Sequence, residues 1–292
     1  MRVLSKIGCF LIGTVYDRIL RPFPTTVRIE TTNRCNSHCV ICPHQKMTRP
    51  LTTMSEELYR KIIDECSEHK LKTIHLHNFG EPLLDKDLFK RITYAKAKGI
   101  SHVKIFSNGS LLNASNITAL LDSGLDEIKI SIDGADRLEY ESIRVGLKYD
   151  VVIANIKELI AQREKRALKH PKTLVACCTT SNRAKSMDNL KDIVDGYSFG
   201  KLHNWGDQNV SPAGACRKPC YRVWSTFTIL ADGDVCLCCL DFDGKVNLGN
   251  LATQTSISGI WNSDLYKKVR RMHKTAAQAD IPICMHCSKS FF

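Results

Sequence analysis

From about residue 27 to residue 207 the chain alternates between two hydrophobic periodicities, and this alternation limits the fold more than any other feature. "VRIETTN" (27–33), "TIHLHNF" (73–79), "HVKIFSN" (102–108), "EIKISID" (127–133), "TLVACCTT" (173–180) and "KLHNW" (201–205) read as strands. Helical patterns lie between them at 55–69, over "DKDLFKRITYAKAKG", near 114–123, at 151–166 and at 187–195. Ser55 is placed to cap the first, and Gly99 to end the second. Six strand–helix units, less one final helix, imply parallel strands with helical crossovers. Six strands fall short of the eight that close a TIM barrel. The expectation is therefore an α/β chain built on an open, partial (βα)6 parallel barrel, with ligands at the carboxyl ends of the strands.

After Trp205 the pattern changes. A connector, "GDQNVSPAGA", leads to a hairpin in which "STFTIL" and "DVCLCCL" flank "ADG". One helix over "ISGIWNSDLYKKVRRMH" and a final "PICMHCSKSFF" follow. This divides the chain into an N-terminal amphipathic helix (1–26), a barrel domain (27–210) and a small hairpin-plus-helix domain (211–292). The N-terminal apolar run is interrupted by Lys6, Asp17 and Arg18, too short to span a bilayer and without a small-residue cleavage site. It is expected to lie on the main domain, with a weak peripheral membrane contact as the other reading.

The formal net charge is +12, but the Lys and Arg residues are spread along helical stretches such as "QREKRALKH" and "KKVRRMHK" with no interleaved aromatics. They read as solvated helix faces, and no nucleic-acid partner is expected. Fourteen cysteines without a clear secretory signal point to reduced thiols, metal binding and the cytoplasm rather than to a disulfide framework.

Two cysteine constellations stand out. "CNSHCVIC" places Cys35, Cys39 and Cys42 in a polar loop after the first strand. Zinc in a closed structural site takes four protein ligands; a cubane iron–sulfur cluster held by three can offer one iron to a ligand that is not protein. In the tail, Cys220 and Cys238 flank Gly233, and Cys284 and Cys287 form a CxxC after a helix. By spacing alone these four thiolates suit zinc or a [4Fe–4S] cluster equally. Cys239 is the alternative to Cys238. Cys9 and Cys66 read as buried core residues.

The CxxxCxxC loop, with "NFGEPLL" after the second strand, "FSNGSLL" after the third and "SIDG" after the fourth, resembles the radical S-adenosylmethionine (SAM) superfamily over roughly 28–207. The resemblance implies a [4Fe–4S] cluster on Cys35, Cys39 and Cys42, whose open iron chelates SAM. It further implies that Gly80, Glu81 and Pro82 meet the SAM ammonium, and that Ser107, Asn108, Ser131 and Asp133 meet its ribose or carboxylate. Ile41 departs from the pattern, since the family often has an aromatic residue there. The tail resembles the shortened SPASM module, called twitch, which implies one auxiliary [4Fe–4S] cluster on Cys220, Cys238, Cys284 and Cys287. The chain ends five residues after Cys287, which favours one auxiliary cluster over two.

The resemblance implies reductive SAM cleavage and hydrogen-atom abstraction from a small polar molecule, sugar- or aminocyclitol-like. An alcohol would become a ketone, with the auxiliary cluster accepting an electron. Flavodoxin or ferredoxin would be the reducing partner. In an epimerase, a thiol such as Cys177 or Cys178 would return a hydrogen atom instead. Peptide maturation is a third option, disfavoured because only 34 residues precede Cys35. A zinc-stapled RNA-binding protein is the alternative from another class. His203 is a candidate catalytic group, and Asn204, Trp205 and Asp207 are candidate substrate contacts, on the reading that they end the sixth strand.

Overall fold

The structure, a computed structural model, describes residues 2–205, 217–253 and 256–290. In chain order it begins with α1 (Arg2–Ile19), β1 (Thr26–Ile29), α2 (Glu56–Glu68), β2 (Thr73–His75) and α3 (Leu88–Ala97). Then come β3 (His102–Ser107), α4 (Ala114–Asp122), β4 (Glu127–Ser131), α5 (Arg137–Ile143) and α6 (Tyr149–Lys165). Next are β5 (Lys172–Cys177), α7 (Arg183–Met187), β6 (Gly196–Phe199), β7 (Thr226–Ile229), β8 (Asp234–Cys236) and β9 (Asn247–Asn250). The chain closes with α8 (Ile257–Trp261), α9 (Asp264–Lys274) and α10 (Pro282–Met285). The alternation of strand and helix from β1 to β6 follows the sequence pattern, and Ser55 caps α2 by accepting from Leu58 N.

Two compact units result. One comprises Glu30–Thr53 and Lys72–Leu202, the other Met1–Ile29, Met54–Leu71 and His203–Phe292. In the first, β6-β5-β4-β3-β2 are neighbours, and every pair is parallel. Side chains alternate across this sheet. Val103, Ile105, Ile128 and Ile130 are fully buried. Ile130 and Val152 of α6 together close on Gly109, so this face carries the helices. Lys104, Phe106, Lys129 and Ser131 alternate with them and stay partly open.

The sixth strand is Gly196–Phe199, parallel to β5, and not Lys201–Trp205 as the sequence reading has it. Its flanks, Asp195-Gly196 and Gly200, carry turn chemistry and hide four paired residues. The helix expected over 187–195 is not there: a single short helix runs from Arg183 to Met187, started by Asn182, which accepts from Lys185 N, and residues 188–195 are turns and bends.

In the second unit β1 runs parallel to β7, and β7-β8-β9 continue antiparallel. Gly233, with φ of +92°, turns the β7–β8 hairpin. The helix expected as one piece after the hairpin is two, because Ser263 caps a new start by accepting from Tyr266 N. α1 packs on α9 through Asp17, which accepts from Trp224 Nε1 at 2.9 Å and Lys274 Nζ at 2.8 Å. Gly13 allows the approach: a Cβ there would lie 2.9 Å from Lys274 Cγ. Among the described residues no helix is long and apolar enough to cross a membrane.

Asp85 and Arg91, at the start of α3, form a buried ion pair at 2.9 Å. Arg91→Met should cost about 3–5 kcal/mol, because it leaves a buried carboxylate without its cation. The double variant Asp85→Asn/Arg91→Met should cost less than the single one. Urea unfolding midpoints of the three proteins check this.

Candidate active site: two cysteine clusters

The loop after β1 is held on several sides within its unit. Glu30, fully buried, accepts from Phe79 N at 3.2 Å and from Arg49, whose NH1 lies 3.0 Å from its other oxygen. Asn33 ties the loop to itself, accepting from Thr52 N at 2.7 Å and donating to Pro50 O at 2.9 Å. His38 N and Val40 N donate to Val145 O and Ile143 O, beyond α5. Pinned in this way, Cys35 and Cys39 both face the buried Ser37 hydroxyl, at 3.3 and 3.5 Å. Cys42 N donates to Cys39 O at 3.1 Å, which closes the turn of the motif.

Burial raises the Cys35 thiol above its usual range, with Glu81 and Cys39 adding to the effect. Burial pushes Cys42 up to about 11, and the neighbouring Cys39 and Cys35 push the same way. Burial and neighbouring charge thus oppose ionisation of Cys35 and Cys42, which a cationic cluster would relieve. Among the described residues no three His, Cys, Asp or Glu side chains close on one point as a single ion requires. A cubane asks for a wider triangle, because each sulfur takes a different iron.

Gly80 stands against this loop in a left-handed conformation, φ +96°, and a Cβ there would lie 2.6 Å from Thr32 O. Glu81 N donates to Arg34 O at 2.8 Å. The Glu81 and Pro82 carbonyls accept from Leu84 N and Asp85 N. The Glu81 carboxylate is turned inward: it accepts from Ser107 Oγ at 2.8 Å, Asn108 N at 2.7 Å and Leu83 N at 3.1 Å. Burial raises its pKa, against those three donors. Asn108 in turn donates to Asn36 Oδ1 at 2.8 Å, beside Cys35. Asp133 is buried as well, and its Oδ1 accepts from Cys178 N at 2.6 Å and Thr179 N at 2.9 Å. Its Oδ2 takes Arg144 Nε at 2.8 Å and Arg144 NH2. The carboxylates of Glu81 and Asp133 are therefore engaged by the protein, and Ser131 is left half-open beside them.

Arg144 escaped the sequence reading. Its NH1 lies 3.6 Å from Cys39 Sγ, and Asp133 and Cys39 hold it charged in spite of its burial. Cys177 is the last residue of β5 and Cys178 the first beyond it. Cys177 is buried, and burial pushes its thiol up to about 11; Cys178 is exposed.

The second cluster lies in the other unit. Cys220 precedes a 3-10 turn, Cys238 follows β8, and Cys284 and Cys287 stand on and after α10. Burial raises Cys220, with Cys287 and Cys239 adding to it; burial raises Cys238, with Cys239 and Cys284 adding; burial raises Cys284, with Cys220 and Cys287 adding. The four expected ligands are thus gathered from three segments. Cys239 Sγ accepts from Arg222 NH1 at 3.2 Å, and Cys238 Sγ from Leu240 N at 3.4 Å; both cysteines are half-buried. Arg217 fastens the CxxC by donating to Cys284 O at 3.0 Å and Met285 O at 2.6 Å.

His203, Asn204 and Trp205 do not end a strand. They belong with the second unit, where Asn204 Nδ2 donates to His286 O at 2.6 Å and Ser288 N donates to Asn204 Oδ1 at 3.3 Å. Burial, then Lys289 and Arg222, lower His203 to about 4. Asp207 and the expected domain boundary near 210 lie outside the described residues.

A family profile described as "Radical SAM superfamily" matches residues 29–165, and one described as "Iron-sulfur cluster-binding domain" (SPASM) matches residues 220–288. The S-adenosyl-L-methionine-dependent 2-deoxy-scyllo-inosamine dehydrogenase of Niallia circulans is 24% identical over 269 residues, 90% of this chain and 92% of that protein. A probable GTP 3′,8-cyclase of Methanopyrus kandleri is 33% identical over 139 residues, 47% of this chain and 44% of that protein. Among solved structures, BtrN in complex with AdoMet and 2-DOIA has a TM-score of 0.64 at 20% identity, covering 90% of this chain and 92% of its own. Streptococcus suis SuiB bound to S-adenosylmethionine has a TM-score of 0.68 at 14% identity, covering 89% and 70%.

Gly80 and Gly99 separate steric clash from backbone strain. Both have positive φ, but a Cβ at Gly99 meets nothing within 4 Å. Gly99→Ala should cost about 1–2 kcal/mol, the left-handed penalty alone. Gly80→Ala should cost clearly more, because the clash adds to the same penalty. Urea midpoints of the two variants, at matched slopes, check the order.

Proposed function

The chain belongs to the radical SAM superfamily and carries a SPASM-type auxiliary iron–sulfur module, and from this premise we propose that it oxidises an alcohol of a small, polar, sugar- or aminocyclitol-like molecule to a ketone. The cofactors are a [4Fe–4S] cluster that binds SAM, SAM itself and an auxiliary cluster. Held by Cys35, Cys39 and Cys42, the first cluster together with SAM would supply one-electron reduction and hydrogen-atom abstraction, and the auxiliary cluster, held by Cys220, Cys238, Cys284 and Cys287, would supply an acceptor for the electron that leaves with one proton as the alcohol becomes a ketone.

The protein's part is placement. Cys35, Cys39 and Cys42 would hold the first cluster, and Arg144 sets a positive charge beside Cys39. Among the described residues none donates to the Gly80 carbonyl, which suits it to a ligand ammonium. Ser131 offers a further polar group at a strand end, while the Asn108 amide is engaged by Asn36 and Ser110. Cys220, Cys238, Cys284 and Cys287 would hold the auxiliary cluster.

The observation that carries the polar-substrate reading is the open face of the parallel sheet. His75, Lys104, Glu127, Lys129 and Ser131 lie on it, with Lys104 Nζ 2.6 Å from Glu127 Oε1 and Lys129 Nζ 3.4 Å from Ser198 Oγ. Such a surface matches hydroxyl and amino groups better than an apolar ligand. The aminocyclitol dehydrogenase that spans 90% of the chain supports the same class. One observation favours a second reading. Cys178 is exposed and so could return a hydrogen atom in an epimerase, whereas Cys177 is buried in the core.

The test is an anaerobic assay with dithionite, SAM and candidate polyols. Ketone should form in step with 5′-deoxyadenosine, and Cys35/Cys39/Cys42→Ala should lose about half the iron and all cleavage, since one of two cubanes goes. Solvent deuterium entering carbon without oxidation, and lost in Cys178→Ala, would sink the dehydrogenase and support the epimerase.

α1 supports a partner beyond the substrate. Its packed face holds Cys9 and Gly13, while Ile7, Phe10, Leu11, Val15 and Ile19 are all more than half exposed along the opposite side. Lys6, Arg18 and Arg21 are exposed around that stripe, and the chain carries +12. A helix of this design lies in the headgroup region of an anionic bilayer. The full chain should sediment with phosphatidylglycerol vesicles and much less with phosphatidylcholine vesicles, and Phe10→Glu/Leu11→Glu should release it. Self-association that the same variant abolishes without lipid would assign the face to a second copy instead.

A further inference from the structure

His273, on α9, is wholly buried and stands between two of the cysteines assigned to the auxiliary cluster. Cys220 N donates to His273 Nδ1 at 3.2 Å. A backbone N–H offers no lone pair, so Nδ1 must be the acceptor. In a neutral ring the proton then sits on Nε2. That Nε2 lies 3.7 Å from Cys284 Sγ. An iron-bound cysteine sulfur has no proton, so this contact is an N–H···S hydrogen bond.

The ring is held in place from both ends of its helix turn. Gln278 Nε2 donates to His273 O at 3.3 Å and to Lys218 O at 3.0 Å, and Trp224 packs edge-on at 6.2 Å. One imidazole therefore ties the segment of Cys220 to the segment of Cys284, two parts of the chain 64 residues apart.

We propose that His273 is a positioning residue for the auxiliary cluster, fixing the Cys220 backbone with one ring nitrogen and raising the cluster's reduction potential by donating a hydrogen bond to Cys284 Sγ with the other. Donation to a ligand sulfur favours the more negative, reduced cluster. That is the direction an acceptor of an electron from a substrate radical needs. The inference rests on the ligand assignment above.

The experiment is an EPR-monitored redox titration of the reconstituted full chain. A Cys35/Cys39/Cys42→Ala background isolates the auxiliary signal. His273→Leu should keep its iron but fall about tenfold in the equilibrium for accepting an electron, about 59 mV. His273→Gln keeps an amide donor and should stay close to the parent. An unchanged potential in an iron-replete His273→Leu, or equal shifts in both variants, would overturn the proposal. Should His273→Leu lose its cluster, the parent in D2O decides: an exchangeable deuteron coupled to the reduced cluster, and absent from [δ1,ε2-15N]-histidine correlation, overturns it, while a deuteron on a coupled histidine nitrogen supports it. None of these readings uses substrate, so failure to form a ketone would overturn the proposed reaction and leave this one standing.

Discussion

Three carboxylates with almost no exposure hold the first site together. Glu30 joins the cysteine loop to the backbone of Phe79, Glu81 joins the glycine turn to the end of β3, and Asp133 joins the end of β4 to the residues after β5. Each accepts from at least one backbone N–H of a different loop. A buried carboxylate without such donors would be prohibitive, so each acid requires its partner loop to be in place. The acids therefore couple the strand ends into one rigid rim, and a single ordering event sets the positions of Cys35, Cys39, Gly80 and Asn108. Arg144 extends this coupling to the cluster itself, because the guanidinium that neutralises Asp133 also faces Cys39.

How far this was legible in the sequence depends on range. The cysteine loop, the glycine turn and the strand–helix alternation were readable because each is written in consecutive residues. The cap at Ser55 and the hairpin at Gly233 were readable for the same reason. Arg144 was not, since its contact with Cys39 spans 105 residues and nothing local marks it. β6 was missed because glycines at both ends made four paired residues look like a turn, and that error moved His203, Asn204 and Trp205 to a strand end they do not occupy. The choice between Cys177 and Cys178 needed the strand's orientation, which alternation alone leaves open by one residue. Glu81 and Asp133 were named as cofactor contacts on resemblance, Glu81 through its backbone, and the motif does not express that their carboxylates also tie the strand ends together.

The two cysteine sets also differ in what must fold before they can work. Cys35, Cys39 and Cys42 close a loop of eight residues, so bringing their sulfurs together costs little entropy. Their difficulty is electrostatic: one buried and two half-buried cysteines share a loop near the buried Glu81, a setting that a cationic cluster suits. The auxiliary set reverses the balance. Cys220 and Cys287 are 67 residues apart, and their approach needs the hairpin, α9 and α10 already packed. That is why the second set is surrounded by long-range fasteners. Arg217 grips the α10 carbonyls, His273 grips Cys220, and Arg270 joins Val223 O to Trp261 O at 3.0 Å each.

It follows that the same residues that assemble the auxiliary site also shape its chemistry. A fastener that reaches a cysteine must end in a donor, because sulfur on iron can only accept. His273 at Cys284 ends this way, and Arg222 does the same at Cys239, the neighbour of the assigned ligand Cys238. Structural need thus selects positive or donating groups around the cluster, and such groups favour the reduced state. In the first site the cysteine loop is anchored largely through backbone and acids, with Arg144 as the single cation among the described residues that faces a cysteine of the motif. The two sets of cysteines therefore differ in what reaches their sulfurs: the Ser37 hydroxyl and Arg144 in the first, and His273, with Arg222 at the neighbouring Cys239, in the second.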